Sequence, residues 1–139
     1  MTKEYKYNTY KEAMVAVEER GGDLEFVRPD LQTLEMAEIA VRWSGFNLEY
    51  VRPDLQTPEM ALEAVEDWGH NLKFVREDLI TPEMALVAVE GWGTNLEFIP
   101  AHLQTQEVIE AALKQDPKAK EFIKVKEMFK NALEEALAG

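Results

Sequence analysis

The chain lacks the residues and runs on which several classes of protein depend. It has no cysteine, which excludes a disulfide framework, a thiolate metal site and a cysteine nucleophile. No apolar run approaches the roughly 18 residues that suggest a membrane span. The N-terminal residues also lack the apolar core that a secretory signal requires. These absences predict a cytoplasmic protein that does not associate with a membrane.

Histidine and basic residues are scarce as well. Two histidines, His70 and His102, accompany 15 Lys and Arg against 27 Asp and Glu, so the net charge is −12. No HExxH, CxxC, GxSxG or phosphate-loop pattern occurs, and we therefore expect no enzymatic activity, catalytic residue, cofactor or metal. Phosphate contacts need clustered Lys and Arg, which argues against direct nucleic-acid binding. The acidity permits a basic protein partner, or only keeps the protein soluble.

What is present is an evenly spaced internal repeat. Threonine marks the start of each copy, at Thr9, Thr33, Thr57, Thr81 and Thr105. The predicted repeats, within one domain that covers residues 1–139, are 9–32, 33–56, 57–80, 81–104 and 105–123. Repeats of this length are typical of a solenoid, in which each unit buries its face against its neighbours.

The first half of each repeat predicts an α-helix. In the third copy Thr57 is a suitable N-cap and Pro58 a suitable first helical residue. Apolar residues then follow with helical spacing at Met60, Ala61, Ala64, Val65 and Trp68. Gly69 is expected to end the helix, as are Gly21, Gly45 and Gly93 in the other copies.

The second half predicts a shorter helical element. Asn71 is a candidate N-cap, as are Asp23, Asn47 and Asn95. Few residues remain, and Pro29 and Pro53 fall inside the corresponding stretch, so we expect a short α- or 3₁₀-helix that breaks near the proline. Stacked copies predict core columns of alanine (residues 13, 37, 61, 85 and 16, 40, 64, 88, 112), valine, leucine and aromatic residues.

The last part of the chain predicts a capping helix. Asp116 and Pro117 resemble a helix start, and residues from about 117 to 137 carry apolar side chains on one face, at Phe122, Val125, Phe129, Leu133 and Leu137. The predicted fold is therefore an all-α solenoid of about five repeats, each with one α-helix and one short helix, closed by this helix.

The repeated units T-P-E-M-A-L-x-A-V and N-L-x-F-V-x-x-D-L resemble tandem helical repeats of domain-of-unknown-function family 4116. Their spacing is also similar to that of leucine-rich-variant repeats, which pair an α-helix with a short 3₁₀-helix. The resemblance covers about residues 9–123 and implies a fold. It implies no catalytic residues.

Three groups of surface residues are candidates for interaction. The first is a basic column with an aspartate two residues after each member, at Arg28, Arg52 and Arg76. Its simpler interpretation is a ladder of surface ion pairs. The second is Trp43, Trp68 and Trp92, near the ends of the long helices, which either cover the glycine turns or bind a partner. The third is the two acids that precede two of these tryptophans, Glu66 and Glu90.

Two functions are compatible with this composition. The leading hypothesis is a non-enzymatic scaffold for protein–protein interaction, because stacked repeats form an extended surface and no catalytic motif occurs. The alternative is an acidic inhibitor, or nucleic-acid mimic of the anti-defence type, that occupies a basic groove of a partner protein. Evenly spaced carboxylates along one edge would favour this alternative.

Overall fold

A computed structural model describes residues 4–124 and 137–138. Within residues 4–124 five α-helices of equal length begin at equal intervals, and that range contains no strand. They are α1 (Tyr10–Glu19), α2 (Leu34–Trp43), α3 (Pro58–Asp67), α4 (Pro82–Gly91) and α5 (Gln106–Gln115). The predicted all-α repeat is confirmed. No helix in these ranges has the length and apolar character needed to cross a membrane.

Two 3₁₀-helices, rather than one short element, follow each of the first four α-helices. The longer ones span six residues, at Gly21–Phe26, Gly45–Tyr50, Gly69–Phe74 and Gly93–Phe98. The shorter ones span three, at Pro29–Leu31, Pro53–Leu55, Glu77–Leu79 and Ala101–Leu103. Pro29 and Pro53 thus begin the second 3₁₀-helix, where the missing N–H is not needed.

The threonine caps are confirmed in all five helices. Each threonine has an extended backbone, and its side-chain oxygen accepts a hydrogen bond of 3.1–3.3 Å from the backbone N–H three residues later. Such a cap satisfies one of the four N–H groups that the first turn of a helix leaves unpaired. The same local chemistry therefore starts each repeat at the same point.

The core consists of the predicted columns, stacked through the repeats. One alanine column and the valine and leucine columns are fully or nearly fully buried, at Ala13, Ala37, Ala61 and Ala85, at Val17, Val41, Val65 and Val89, and at Leu24, Leu48, Leu72 and Leu96. The aromatic column, Phe26, Tyr50, Phe74, Phe98 and Phe122, is only partly buried and packs on the margin of this core. The apolar face of each helix is therefore covered mainly by its neighbours in the stack.

We expected the glycines to end the α-helices, which glycine usually does in a left-handed conformation. They do not adopt that conformation, because no residue in the described part of the chain has positive φ. The C-cap is the residue before the glycine, in extended conformation. Glycine is needed for a different reason. A Cβ atom built at Gly45 would lie 2.9 Å from the Cα and carbonyl oxygen of Ala64, and one at Gly69 would lie 3.2 Å from those of Ala88. Each glycine thus permits close contact with the next repeat.

The predicted N-cap asparagines also have another role. The side-chain N–H groups of Asn47, Asn71 and Asn95 donate to the carbonyls of Ala40, Ala64 and Ala88 at 2.9–3.0 Å, seven residues earlier. They therefore bind the C-terminal end of the preceding α-helix instead of capping the following one. In the first repeat, Asp23 accepts a hydrogen bond from the hydroxyl of Tyr7. All three asparagines are buried, so these hydrogen bonds satisfy groups that water does not reach.

Buried glutamines connect neighbouring repeats. The Gln32 side chain donates to the carbonyl of Tyr50 at 2.7 Å and accepts from the N–H of Arg52 at 2.8 Å. Gln56 makes the same pair of bonds to residues 74 and 76, and Gln104 to residues 122 and 124. Each amide thus pairs with the extended backbone of the next repeat as a strand would.

This glutamine ladder is interrupted at Ile80, which occupies the glutamine position of the third repeat and is buried. The backbone N–H that would bind a glutamine oxygen there belongs to position 100, which is a proline. Proline has no N–H to donate. Ile80 in place of glutamine and Pro100 in place of arginine therefore match each other, because the apolar Ile80 lies where the next repeat offers no N–H donor.

The start of the predicted capping helix needs correction. Residues Pro117–Phe122 form a six-residue 3₁₀-helix, and Ile123 after it is extended. This segment completes a fifth repeat, because its Phe122 carbonyl and Lys124 N–H both bind Gln104 of the preceding repeat. Leu137 and Ala138 are helical. Residues 125–136, which hold most of the predicted helix, lie outside the described residues.

Replacing Gly45 by alanine should destabilise the fold, because the added methyl group meets backbone atoms of Ala64 that cannot move independently. Overpacking of this kind costs about 1–3 kcal/mol. Gly91, the last residue of α4, is the matched control, since a Cβ atom there meets nothing within 4 Å. Gly91→Ala should be neutral or stabilise by up to about 1 kcal/mol. Urea unfolding of both variants measures this, and equal effects would contradict the close-contact explanation.

The Ile80–Pro100 pair predicts a coupled effect. Ile80→Gln alone should lower stability by about 1–3 kcal/mol, because its buried oxygen lacks a donor. Pro100→Arg restores a backbone N–H at that point and the residue found at positions 28, 52 and 76. The double variant should therefore lose less stability than the two single variants together, by about 0.5–3 kcal/mol. Additive losses in a double-mutant cycle of urea unfolding would refute the pairing.

Candidate interaction surface

The structure shows that all three tryptophans are exposed, which the sequence left open. Trp43 is the last residue of α2, whereas Trp68 and Trp92 are the C-caps of α3 and α4 with extended backbones. Their exposed fractions are 61%, 44% and 52% in that order. The spacing of the apolar residues suggested that Trp68 continues the buried face of α3. It does not, because the chain leaves the helical path at this residue.

His70 joins the two equivalent tryptophans. Its imidazole stacks on the ring of Trp68, with centroids 4.6 Å apart and planes 7° apart. The ring of Trp92 lies 5.2 Å from the same imidazole at an angle of 88°. We call Trp68, His70 and Trp92 the tryptophan edge. Aromatic pairs favour both of these geometries, so the three rings support one another across the third and fourth repeats.

Sequence reasoning assigned no role to His70, because its column is not uniform. The equivalent residues are Gly22, Phe46, Thr94 and Lys118. A signal was nevertheless present, since this position is aromatic in two successive repeats. Phe46 makes edge contacts with Phe74 and Tyr50, at 5.7 and 6.4 Å between ring centroids, and remains 42% exposed.

Two acids precede the tryptophans of this edge in the sequence. Glu66 and Glu90 occupy the last turns of α3 and α4, two residues before Trp68 and Trp92, and both are exposed. Neither forms an ion pair with another described residue. Asp67 differs, because its carboxylate accepts a 2.8 Å hydrogen bond from the N–H of Gly45 and so helps to join two repeats. Glu66 and Glu90 are thus exposed carboxylates that no described ion pair engages.

Trp43 lies apart from the tryptophan edge. It aligns with Asp67 and Gly91 rather than with Trp68, and its side chain covers Gly21 of the first repeat. No ring contact between Trp43 and another described aromatic residue is formed. It therefore fits the simpler interpretation offered by the sequence, a side chain that covers a glycine turn, although most of its surface is exposed.

The arginine column forms the expected ion pairs. In Arg52 the Nε and Nη2 groups bind both carboxylate oxygens of Asp54, at 2.6 and 2.9 Å, and Arg76 binds Asp78 in the same way. The hydrogen bond from Arg52 lowers the pKa of Asp54 below its usual value, and that from Arg76 lowers the pKa of Asp78. These pairs are largely exposed, so each contributes little to stability.

The arginines also connect repeats. The Nη1 groups of Arg52 and Arg76 donate to the carbonyls of Pro29 and Pro53 in the preceding repeats, at 2.8 and 2.9 Å. The guanidinium groups are therefore engaged by an aspartate on one side and a backbone carbonyl on the other. Arg28 makes the same pair with Asp30. We assign this column a structural role, which leaves the tryptophan edge as the candidate binding surface.

Comparison with protein-family models, with curated proteins and with solved structures finds no match. The resemblance to domain-of-unknown-function family 4116 therefore stays a prediction from the quoted motifs.

Truncating the exposed tryptophans should cost less than truncating a core residue. We expect Trp68→Ala and Trp92→Ala to lower the free energy of unfolding by about 1–2 kcal/mol each, below the roughly 3–5 kcal/mol of a buried aromatic residue. Leu72→Ala is the comparison, since Leu72 is 1% exposed and its truncation should cost about 2–5 kcal/mol. Chemical denaturation of the three variants gives these values. Tryptophan variants that lose as much as Leu72→Ala would place the rings in the core.

Proposed function

We propose that the protein is a non-enzymatic scaffold that binds a partner protein at the tryptophan edge. The observation that supports this is the exposure of Trp68 and Trp92, at 44% and 52%, on a frame whose valine and leucine columns are buried. Tryptophan is enriched among the residues that dominate binding energy at interfaces, because a partner that covers the ring removes much apolar surface from water. Since the repeat core fixes α3 and α4, little ordering is needed on binding.

The charge of the chain favours a basic partner. Glu66 and Glu90 precede Trp68 and Trp92 by two residues and are exposed and unpaired within the described residues, and the net charge is −12. Complementary charge speeds association and excludes acidic competitors. As part of the same proposal, we place this interaction in the cytoplasm.

A second candidate function is an acidic inhibitor that occupies a nucleic-acid-binding groove of a basic partner. It is favoured by one further observation: the second residue of four successive helices is an exposed glutamate, at Glu35, Glu59, Glu83 and Glu107. None of these carboxylates is paired with another described residue. They occupy the same position in successive repeats, as the charges of a nucleic-acid strand recur regularly, although stacked helices about 8–10 Å apart space them more widely than the 3.4 Å per charge of a strand.

The two candidates predict different effects of mutation on partner capture. If the tryptophan edge binds, Trp68→Ala and Trp92→Ala should each remove most of the captured partner, because truncation of an interface tryptophan typically costs about 2 kcal/mol or more. Glu59→Gln and Glu83→Gln should then have little effect. The measurement is affinity capture with immobilised protein, mass spectrometry to identify partners, and titration of each variant.

Salt dependence completes this test. Binding that survives about 0.5 M salt and depends on the tryptophans supports the scaffold, because screening weakens exposed charge pairs and leaves ring burial intact. Binding that is lost at that salt concentration, and depends on Glu59 and Glu83, supports the acidic inhibitor. A partner whose capture is unchanged in all four variants would contradict both proposals. Circular dichroism of each variant confirms that the fold is retained.

A further inference from the structure

One interface between repeats is more open than its neighbours. Each of the first four six-residue 3₁₀-helices begins with a glycine, and the residue before that glycine is extended in every case. Gly21, Gly45 and Gly93 are buried, whereas Gly69 is only partly buried. Because the local backbone is of the same kind at all four positions, we attribute the difference to the repeat that packs against each glycine.

The last residues of the following α-helix close two of these interfaces with a hydrogen bond. Asp67, at the end of α3, accepts a hydrogen bond of 2.8 Å from the backbone N–H of Gly45. Gln115, at the end of α5, accepts one from the N–H of Gly93 through its side-chain oxygen. A side chain from the next repeat thus satisfies the glycine N–H and shields it from water.

The interface at Gly69 lacks such a side chain. Gly91 occupies the position that corresponds to Asp67 and Gln115, and a Cβ atom built on it meets nothing within 4 Å. The N–H of Gly69 therefore has no hydrogen-bond partner among the described residues. At the first interface the side chain of Trp43 covers the glycine instead, so the gap opposite Gly69 has no equivalent there.

The gap adjoins the tryptophan edge. His70 directly follows Gly69, Trp92 directly follows Gly91, and the rings of His70 and Trp92 are in contact at 5.2 Å between centroids. The Nδ1 atom of His70 is buried and has no partner in the part of the chain that the structure describes. We call Gly69, His70, Gly91 and Trp92 the Gly91 notch. A few unpaired polar groups beside aromatic surface are typical of a binding site.

The group missing from the notch is a hydrogen-bond acceptor on a side chain. A carboxylate has this role at one neighbouring interface and an amide at the other. A partner's carboxylate is the poorer ligand, because Gly91 ends α4, where the helix dipole is negative, and the exposed Glu90 directly precedes it. Asp67 tolerates similar repulsion since its own helix already holds it in place. A neutral amide supplies the same oxygen without that repulsion.

We propose that the Gly91 notch binds the side-chain amide of an asparagine or glutamine of a partner protein. The amide oxygen accepts a hydrogen bond from the N–H of Gly69, as Gln115 does from the N–H of Gly93 one repeat later. Flanking parts of the partner cover the exposed rings of Trp68 and Trp92. The inference rests on the proposed function, whose surface it uses, and names the group that the partner inserts.

Filling the notch from within the chain tests this proposal. Gly91→Gln and Gly91→Asp supply the acceptors found at the neighbouring interfaces and keep both tryptophans. Each should raise the urea midpoint of unfolding above that of Gly91→Ala and weaken partner capture by about three- to tenfold, the effect of one lost hydrogen bond. Gly91→Ala is the matched control, because it adds a methyl group without an acceptor, and its capture should stay within about twofold of the unmodified protein. Equal capture by Gly91→Gln and Gly91→Ala would overturn the proposal.

A direct test uses N-acetylglutamine methylamide as a probe and N-acetylglutamate methylamide as its charged counterpart. In proton–nitrogen correlation spectra of the whole protein, the glutamine probe should move the Gly69 N–H resonance downfield. The N–H resonances of Gly45 and Gly93, which are already bonded, should stay in place. In Gly91→Gln the Gly69 resonance should lie downfield before the probe is added and should not respond to it. An unmoved Gly69 resonance, or an equal response to the glutamate probe, would refute the amide site.

The amide site and the proposed function fail in different ways. If capture depends on Trp68 and Trp92 but is equal in Gly91→Gln and Gly91→Ala, the binding surface stands and the amide site is wrong. If capture depends on neither tryptophan, the proposed function itself fails. The response of the Gly69 resonance to the glutamine probe then still decides whether the notch binds an amide.

Discussion

Close contact between a glycine of one repeat and the helix backbone of the next is the constraint on which this structure depends. At Gly45 and Gly69 even a methyl group would lie within 2.9 and 3.2 Å of Ala64 and Ala88 backbone atoms. Alanine columns keep the helix side of the same contact small. Because interiors are packed to high density, this contact fixes how far one repeat lies from the next. Equivalent hydrogen bonds consequently recur at each interface between neighbouring repeats, which we call a seam.

The buried polar residues follow from this close stacking. Short 3₁₀-helices leave backbone groups unpaired at their ends, and a buried group without a partner is costly. Asparagines bind the ends of the α-helices. Each glutamine pairs with the carbonyl of the last residue of a six-residue 3₁₀-helix and with the N–H two residues later. At Ile80 the amide is replaced by an apolar side chain where Pro100 offers no donor. The seams are thus uniform in packing, while their hydrogen bonding adapts to each neighbouring residue.

The stacked repeats do not need every large apolar side chain in their core. Alanine, valine and leucine fill the core, so Trp68 and Trp92 can remain half-exposed at the ends of α3 and α4. The arginines, in contrast, are engaged by aspartates and by proline carbonyls of the preceding repeat. This difference in engagement is why we place binding at the tryptophan edge rather than at the basic column.

The sequence by itself determined the period, the helix starts and the identity of the core columns. These follow from local rules, since a threonine cap binds an N–H three residues away and a helical face repeats every three to four residues. Only the tertiary structure decided the roles of Gly45, Asn71, Gln56 and His70, and whether Trp68 is buried. The contacts of Gly45, Gln56 and His70 reach the following repeat rather than a nearby turn of their own. No local pattern specifies which atoms meet across a seam, because that depends on how closely two repeats approach.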